Sequence, residues 1–148
     1  MDIKKLDKSD SHWIYLLENT CFGADAWTEE MILSHFLESE GVGVKDLGYV
    51  LYKIIGEEIE IFKVAIHPSQ RREGRAKRLL ESLLNAQRGR TFFLEVSSHN
   101  LSAIGLYTSC GFQRIHIRKH YYNDGSDALV FKKIPADDFE NYSFDVPS

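Results

Sequence analysis

The chain has 148 residues, a formal net charge of −4 and an ordinary apolar content of 43%. This suits a single domain with a sizeable core and excludes global disorder, and the acidic balance argues against broad binding to nucleic acid or anionic membrane. Two cysteines, Cys21 and Cys110, are too few for a disulfide scaffold and lack metal-ligand spacing, and no His pattern has zinc spacing, so no metal is expected. The start, MDIKKLDKSD, has no apolar leader-like core and no long apolar run follows, so a soluble cytoplasmic protein is expected.

Ile3 to Leu6 reads as a short first strand. Ser9 or Asp10 is placed to cap a helix with Trp13, Ile14, Leu16 and Leu17 on its apolar side. Cys21 to Trp27 is a loop. Thr28 can cap a second helix, with Met31, Ile32, His35 and Phe36 at helical spacing and Gly41 and Gly43 breaking it. Val42–Val44, Leu47–Ile55 and Ile59–Ile66 then read as strands of an antiparallel meander turning at Gly56. A helix over Arg75–Gln87, ended by Gly89, carries Ala76, Leu79, Leu80, Leu83 and Leu84. Thr91–Val96 is an apolar strand, and Asn100 or Ser102 opens a helix carrying Ala103, Leu106 and Tyr107. Phe112–Tyr122 is a long strand, Asn123-Asp124-Gly125 a hairpin turn, and Asp127–Lys133 the return strand.

The order is β-α-α-β-β-β-α-β-α-β-β. It predicts an α/β fold: a mixed, largely antiparallel twisted sheet with helices on both faces, in which the Ile59 and Thr91 strands are parallel neighbours. One domain is expected over residues 1–134, with an acidic tail over 135–148.

Two stretches carry chemistry. In the first, a strand ending at Ile66-His67-Pro68 runs into Arg71-Arg72-Glu73-Gly74-Arg75-Ala76 and then a helix. A helix N-terminus behind a glycine-containing turn offers free N–H groups and a favourable dipole to an anion, with arginines alongside. It has neither the P-loop nor the dinucleotide pattern, and an ordinary strand–turn–helix with a solvated basic face also accounts for it. The second stretch is LEVSSHNLSAIGLYTSCGF, Leu94 to Phe112. Glu95 interrupts an apolar strand, which fits either a functional carboxylate or a strand-end salt bridge. Tyr107 fits a core position, and Asn100 a helix cap.

Together these motifs resemble the GNAT acetyltransferase superfamily. The turn resembles its [Q/R]-x-x-G-x-[G/A] pyrophosphate loop. Leu94-Glu95-Val96, Asn100, Ala103, Leu106-Tyr107, Gly111-Phe112, Arg118, Tyr121-Tyr122 and Asp127-Ala128 resemble the branch that acetylates the N-terminal alanine of a ribosomal protein. Ala26-Trp27-Thr28 and Val64-Ala65-Ile66 match further motifs of that branch.

The resemblance implies the GNAT fold and acetyl-CoA as co-substrate, with direct attack by a protein N-terminal amine. Glu95 matches the general base and Tyr107 the general acid. Val64, Ala65 and Ile66 match the strand beside the pantetheine arm. Arg71, Arg72, Glu73, Gly74, Arg75, Ala76 and Lys77 match the pyrophosphate loop, and Asn100 an acetyl-CoA contact. Trp27, Tyr121 and Tyr122 are acceptor-groove candidates that equally fit ordinary packing.

The implied partner is a protein N-terminus, that of a small-subunit ribosomal protein, without direct nucleic-acid or membrane contact. The alternatives are a lysine, polyamine or other small-amine acetyltransferase, or a non-catalytic coenzyme A-binding module. The chain departs from the branch at Ala26 (usually Pro), Arg71 (Gln), Ala76 (Gly), Ser97 (Arg), His99 (Ser) and Ser126 (Glu). Ala26, Ser97, His99 and Ser126 bear on the acceptor.

Overall fold

The computed structural model describes residues 1–135. The tail expected over 135–148 therefore lies, beyond Pro135, outside the described residues. The elements are β1 (Lys4–Leu6), α1 (Ser11–Phe22), α2 (Glu29–Glu38), β2 (Glu40–Val44), β3 (Gly48–Ile55), β4 (Glu58–Ile66), α3 (Arg75–Ala86), β5 (Thr91–Ser97), α4 (Leu101–Ser109), β6 (Gln113–Arg118) and β7 (Ala128–Lys133). This is the element order expected from the sequence. The strands follow the sheet order β1-β2-β3-β4-β5-β7-β6, a mostly antiparallel seven-stranded sheet with four helices.

Two compact units make up the chain. The first comprises Met1–Ile54 and Ile61–Asn85. Here β1 pairs antiparallel with β2, and β2 with β3, setting Val42 opposite Val50. α1 and α2 bury Trp13, Ile14, Leu17 and Ile32 with Leu6, Tyr49, Leu51 and Ala65, and Trp13 meets the Tyr49 ring edge-on at 6.1 Å. α3 buries Leu79, Leu80, Leu83 and Leu84, each worth roughly 1.5–3 kcal/mol of apolar burial.

Three local expectations are corrected in this unit. The capping residue is Asp7, which forms a reciprocal capping box with Asp10 ahead of a 3-10 turn; Asp10 makes no side-chain cap to α1. Leu16 is 51% exposed, because it falls on the turn of α1 facing away from Ile14 and Leu17. Gly41 and Gly43 do not end α2, which stops at Glu38; both lie within β2. A Cβ on Gly43 would sit 2.4 Å from the Gly48 carbonyl oxygen, so a close backbone approach requires glycine there.

The second unit comprises Ile55–Glu60 and the chain from Ala86 onward. The Thr91 N–H donates to the Glu57 carbonyl at 3.0 Å, and the Arg90 guanidinium donates to the Gly56 carbonyl. β7 lies between β5 and β6 and is antiparallel to both, with Glu95 opposite Val130 and Ile117 opposite Leu129. The β6–β7 register shifts between Arg114 and His116. β6 ends at Arg118, short of the expected Tyr122. His120 takes a left-handed backbone (φ 51°), and its N–H goes to the Asp127 carboxylate at 2.9 Å. Lys119 to Asp127 is therefore a loop closed by the Gly125 N–H on the Tyr122 carbonyl at 2.9 Å, rather than a tight hairpin.

Burial of tyrosines sets the alkaline limit of stability. Burial first, then the Glu40 charge, raises Tyr52 to about 12. Burial first, then Cys110, raises Tyr107 to about 12. Burial and the adjacent Glu18 raise Tyr49 further. In the unfolded chain these phenols ionise near ~10, so above that pH the unfolded state holds fewer protons and stability falls. The expected result is a thermal midpoint that declines steeply from pH 10 toward 12, by as much as about 1.4 kcal/mol per pH unit for each buried phenol. A midpoint unchanged between pH 9.5 and 11 would contradict this.

Candidate active site

Val64–Ile66, the turn after them and Trp27 belong to the first unit; Glu95, Asn100, Tyr107, Tyr121 and Tyr122 belong to the second. β4 delivers Val64, half-buried, and Ala65 and Ile66, buried, to the end of the strand. Pro68 then opens a 3-10 turn and α3 starts at Arg75. Between them, Arg72 (φ 68°) and Gly74 (φ 72°) both take left-handed backbone. For arginine that conformation is strained, of the sort that clusters at ligand-holding turns.

The first helical bond of α3 is Arg78 N–H to Gly74 carbonyl, so the amides of Arg75, Ala76 and Lys77 have no acceptor within the helix. A Cβ on Gly74 would meet nothing within 4 Å, so the turn presents an open face. These features fit a pyrophosphate. The cations are not equivalent. Arg71 turns inward, its Nε donating to the Ile66 carbonyl at 3.1 Å. Arg75 pairs with Glu73 at 2.9 Å and Lys77 lies 3.8 Å from Glu81. These exposed pairs are worth at most about 1 kcal/mol each, so an anion can displace them. Arg72 is exposed.

Trp27 lines a cleft of about 520 Å³ with Thr28, Glu30, Met31, Ser34, His35 and Phe62. Its ring lies 5.9 Å from His35 and 6.4 Å from Phe62. Burial lowers the His35 pKa, and its Nε2–H donates to the Glu40 carbonyl at 2.8 Å.

In the second unit, Glu95 projects from β5 between buried Leu94 and Val96. Its Oε1 accepts from Arg118 at 2.9 Å. The Arg118 guanidinium in turn stacks on Tyr121 at 4.2 Å, and Tyr121 meets Tyr122 edge-on at 5.2 Å. Burial first, then the Glu95 charge, raises the Tyr122 phenol. The structure thus gathers Glu95, Tyr121 and Tyr122 around Arg118, a residue matched to the branch but given no site role from sequence.

Tyr107 belongs to a different cluster: it is 8% exposed, with its ring 5.8 Å from Phe112 and 6.5 Å from Phe131. Asn100 caps α4, its Oδ1 accepting the Ala103 N–H at 3.2 Å. Ser97 and Ser126, two departures at positions where the branch has arginine and glutamate, hydrogen-bond to each other at 2.8 Å. Each serine thus finds its polar partner in the other.

Sequence reasoning missed Glu18, which is fully buried beneath Trp27. The available signal was its position one turn after Ile14 on the apolar face of α1. Among the described residues no group of three or more His, Cys, Asp or Glu is arranged to hold a metal ion, and no helix is long and apolar enough to cross a membrane.

The family model described as Acetyltransferase (GNAT) family matches residues 8–112. The ribosomal protein bS18-alanine N-acetyltransferase of Escherichia coli K12 is 30% identical over 146 residues, covering 90% of this chain and 96% of that protein. N-alpha-acetyltransferase RimI of Mycobacterium tuberculosis is 37% identical over 81 residues, 54% of this chain and about half (51%) of that protein. The crystal structure of the E. coli ribosomal-protein-S18-alanine N-acetyltransferase superposes with a TM-score of 0.81 at 27% identity, covering 89% of this chain and 92% of that one. Arabidopsis thaliana NAA60 in complex with acetyl-CoA, at 17% identity, shares the fold with a TM-score of 0.78 over 90% and 98% of the two chains.

Proposed function

The chain belongs to the GNAT acetyltransferase family, whose co-substrate is acetyl-CoA, and we propose that it acetylates the N-terminal amine of a protein, specifically the N-terminal alanine of a small-subunit ribosomal protein, in the cytoplasm. The match to the E. coli bS18-alanine enzyme over nearly the full length of both chains carries this reading.

When bound, acetyl-CoA supplies an acetyl thioester. The free amides of Arg75, Ala76 and Lys77 and the guanidinium of Arg72 would hold its pyrophosphate, and the β4 end at Val64–Ile66 would line its pantetheine arm. The α-ammonium of the acceptor, with an intrinsic pKa near ~8, is not nucleophilic until it loses a proton. Glu95 takes that proton directly or through a water. Its ion pair with Arg118 engages Oε1, leaving Oε2 to accept. The neutral amine attacks the thioester carbonyl and the C–S bond breaks as the Tyr107 O–H donates a proton to the departing sulfur; the second proton shed by the nitrogen, as it becomes an amide, restores the Tyr107 O–H through solvent. Trp27, Tyr121 and Tyr122 contact the acceptor peptide.

The test is acetyl transfer to a panel: an alanine-starting ribosomal peptide, the same peptide with a blocked N-terminus, a lysine peptide and spermidine. Turnover confined to the free-N-terminus peptide is the expected result. Turnover on lysine or spermidine instead would reassign the acceptor. Coenzyme A binding without turnover on any of them would make the protein a binding module.

A further inference from the structure

Glu18 is 0% exposed, the only buried carboxylate among the described residues. Tyr49 donates its phenol to Oε1 at 2.5 Å, the Trp27 backbone N–H donates to Oε2 at 2.7 Å, and Lys63 Nζ approaches Oε2 at 3.4 Å. Lys63 is itself held over the Phe22 ring at 4.2 Å and the Trp27 ring at 5.4 Å. The segment from Gly23 to Ala26, which joins α1 to Trp27, is thus clamped at both ends. Phe22 and the Trp27 indole share one ammonium, and the Trp27 backbone hangs on the carboxylate that pairs with it.

A buried ion pair is a poor device for stability, since desolvation offsets most of its Coulomb gain, and apolar side chains of similar size generally do as well. What such a pair supplies here is direction. The Trp27 N–H lies in a loop with no strand partner, and a charged acceptor fixes it more firmly than a neutral one. Trp27 lines the cleft in this unit, its ring packed against His35 and Phe62, which line it too. The rotation of its indole therefore bears on the shape of that lining.

We propose that Glu18, with Lys63, is a positioning residue for acceptor recognition: it acts through Trp27 to fix the wall against which the acceptor peptide is bound. This rests on the assignment of Trp27 to the acceptor groove. The hydrogen bonds of Glu18 go to Tyr49, Trp27 and Lys63 and none to residues 71–77, so on this proposal its effect falls on the acceptor more than on acetyl-CoA.

The experiment measures KM for the acceptor peptide, KM for acetyl-CoA, kcat and thermal midpoint for E18Q, W27A and the double variant, with Y49F as control. W27A keeps the backbone N–H that Glu18 accepts while removing the ring that Glu18 positions. The expected result for E18Q is an acceptor KM raised about tenfold, with acetyl-CoA KM and kcat at saturation within about twofold. The double variant is expected to be no worse than W27A alone, because residues acting through one another are not additive. Y49F removes a donor that does not touch Trp27, so it lowers the thermal midpoint and leaves acceptor KM unchanged.

Multiplying effects in the double variant, equal rises in both KM values, or a midpoint drop without an acceptor effect would each overturn the positioning role. If W27A itself leaves acceptor KM unchanged, the groove assignment of Trp27 fails and this role fails with it. A raised KM for W27A alongside a normal one for E18Q removes only the positioning role. Should E18Q not fold, K63Q, which releases the indole but leaves two donors on Glu18, is read by the same criteria.

Discussion

Glu95→Gln is expected to lower kcat for peptide acetylation by about 10²–10⁴-fold, the range of a lost general base, with acetyl-CoA KM within about twofold. The substitution preserves shape and keeps a group able to accept from Arg118, so the fold is retained. What disappears is the capacity to take a proton from the bound ammonium. This gives the prediction a pH signature that a structural role would lack. The acceptor's α-amine has a pKa near ~8, so solvent performs the deprotonation unaided at higher pH. The deficit of E95Q is therefore largest at pH 6–7 and narrows above about pH 9. A deficit constant across pH would mean that Glu95 orients the substrate without taking its proton. Arg118 bears on the same measurement. It holds Glu95 Oε1 at 2.9 Å and lies against Tyr121, tying the carboxylate to the loop that carries Tyr121 and Tyr122.

The regular elements were legible because their side chains follow a period. The α3 leucines at 79, 80, 83 and 84 and the alternation of β5 directly encode which face is buried. Where tertiary contacts decide the outcome, the sequence misled. Gly41 and Gly43 look like helix breakers, yet they serve a close strand pairing. The apparent strand from Phe112 to Tyr122 stops at Arg118, because the Asp127 carboxylate, seven residues beyond His120, captures the His120 N–H. At the candidate site, the strand–turn–helix around Gly74 was readable from its local pattern, with Gly74 in the left-handed region and the helix starting at Arg75. The Glu95–Arg118 pair and the Glu18–Lys63 pair were not, being joined across 23 and 45 residues. No local pattern records which charges meet in a folded chain, and Glu18 in particular reads as one more acidic residue until its burial is known.

Tyr107→Phe is expected to reduce kcat about 10²-fold or more, with little change in the KM of either substrate. The side chain is 8% exposed and its ring packs against Phe112 and Phe131. Phenylalanine keeps those contacts, so the thermal midpoint should stay close to that of the parent. A catalytic loss on an intact fold then assigns the effect to the hydroxyl alone. The raised pKa fixes the sign of the pH dependence. The acid must be protonated to act, and burial first, with the Cys110 charge next, raises it from 10 to about 12. The active form is therefore retained well past the ordinary tyrosine range, and activity in the parent should rise as the acceptor amine deprotonates near ~8 and then hold level to about pH 10.5. An alkaline fall centred near ~10, with the fold intact at the assay temperature, would take proton donation away from Tyr107. Undiminished kcat in Y107F would leave Tyr107 as a core residue only, with its hydroxyl uninvolved in the transfer.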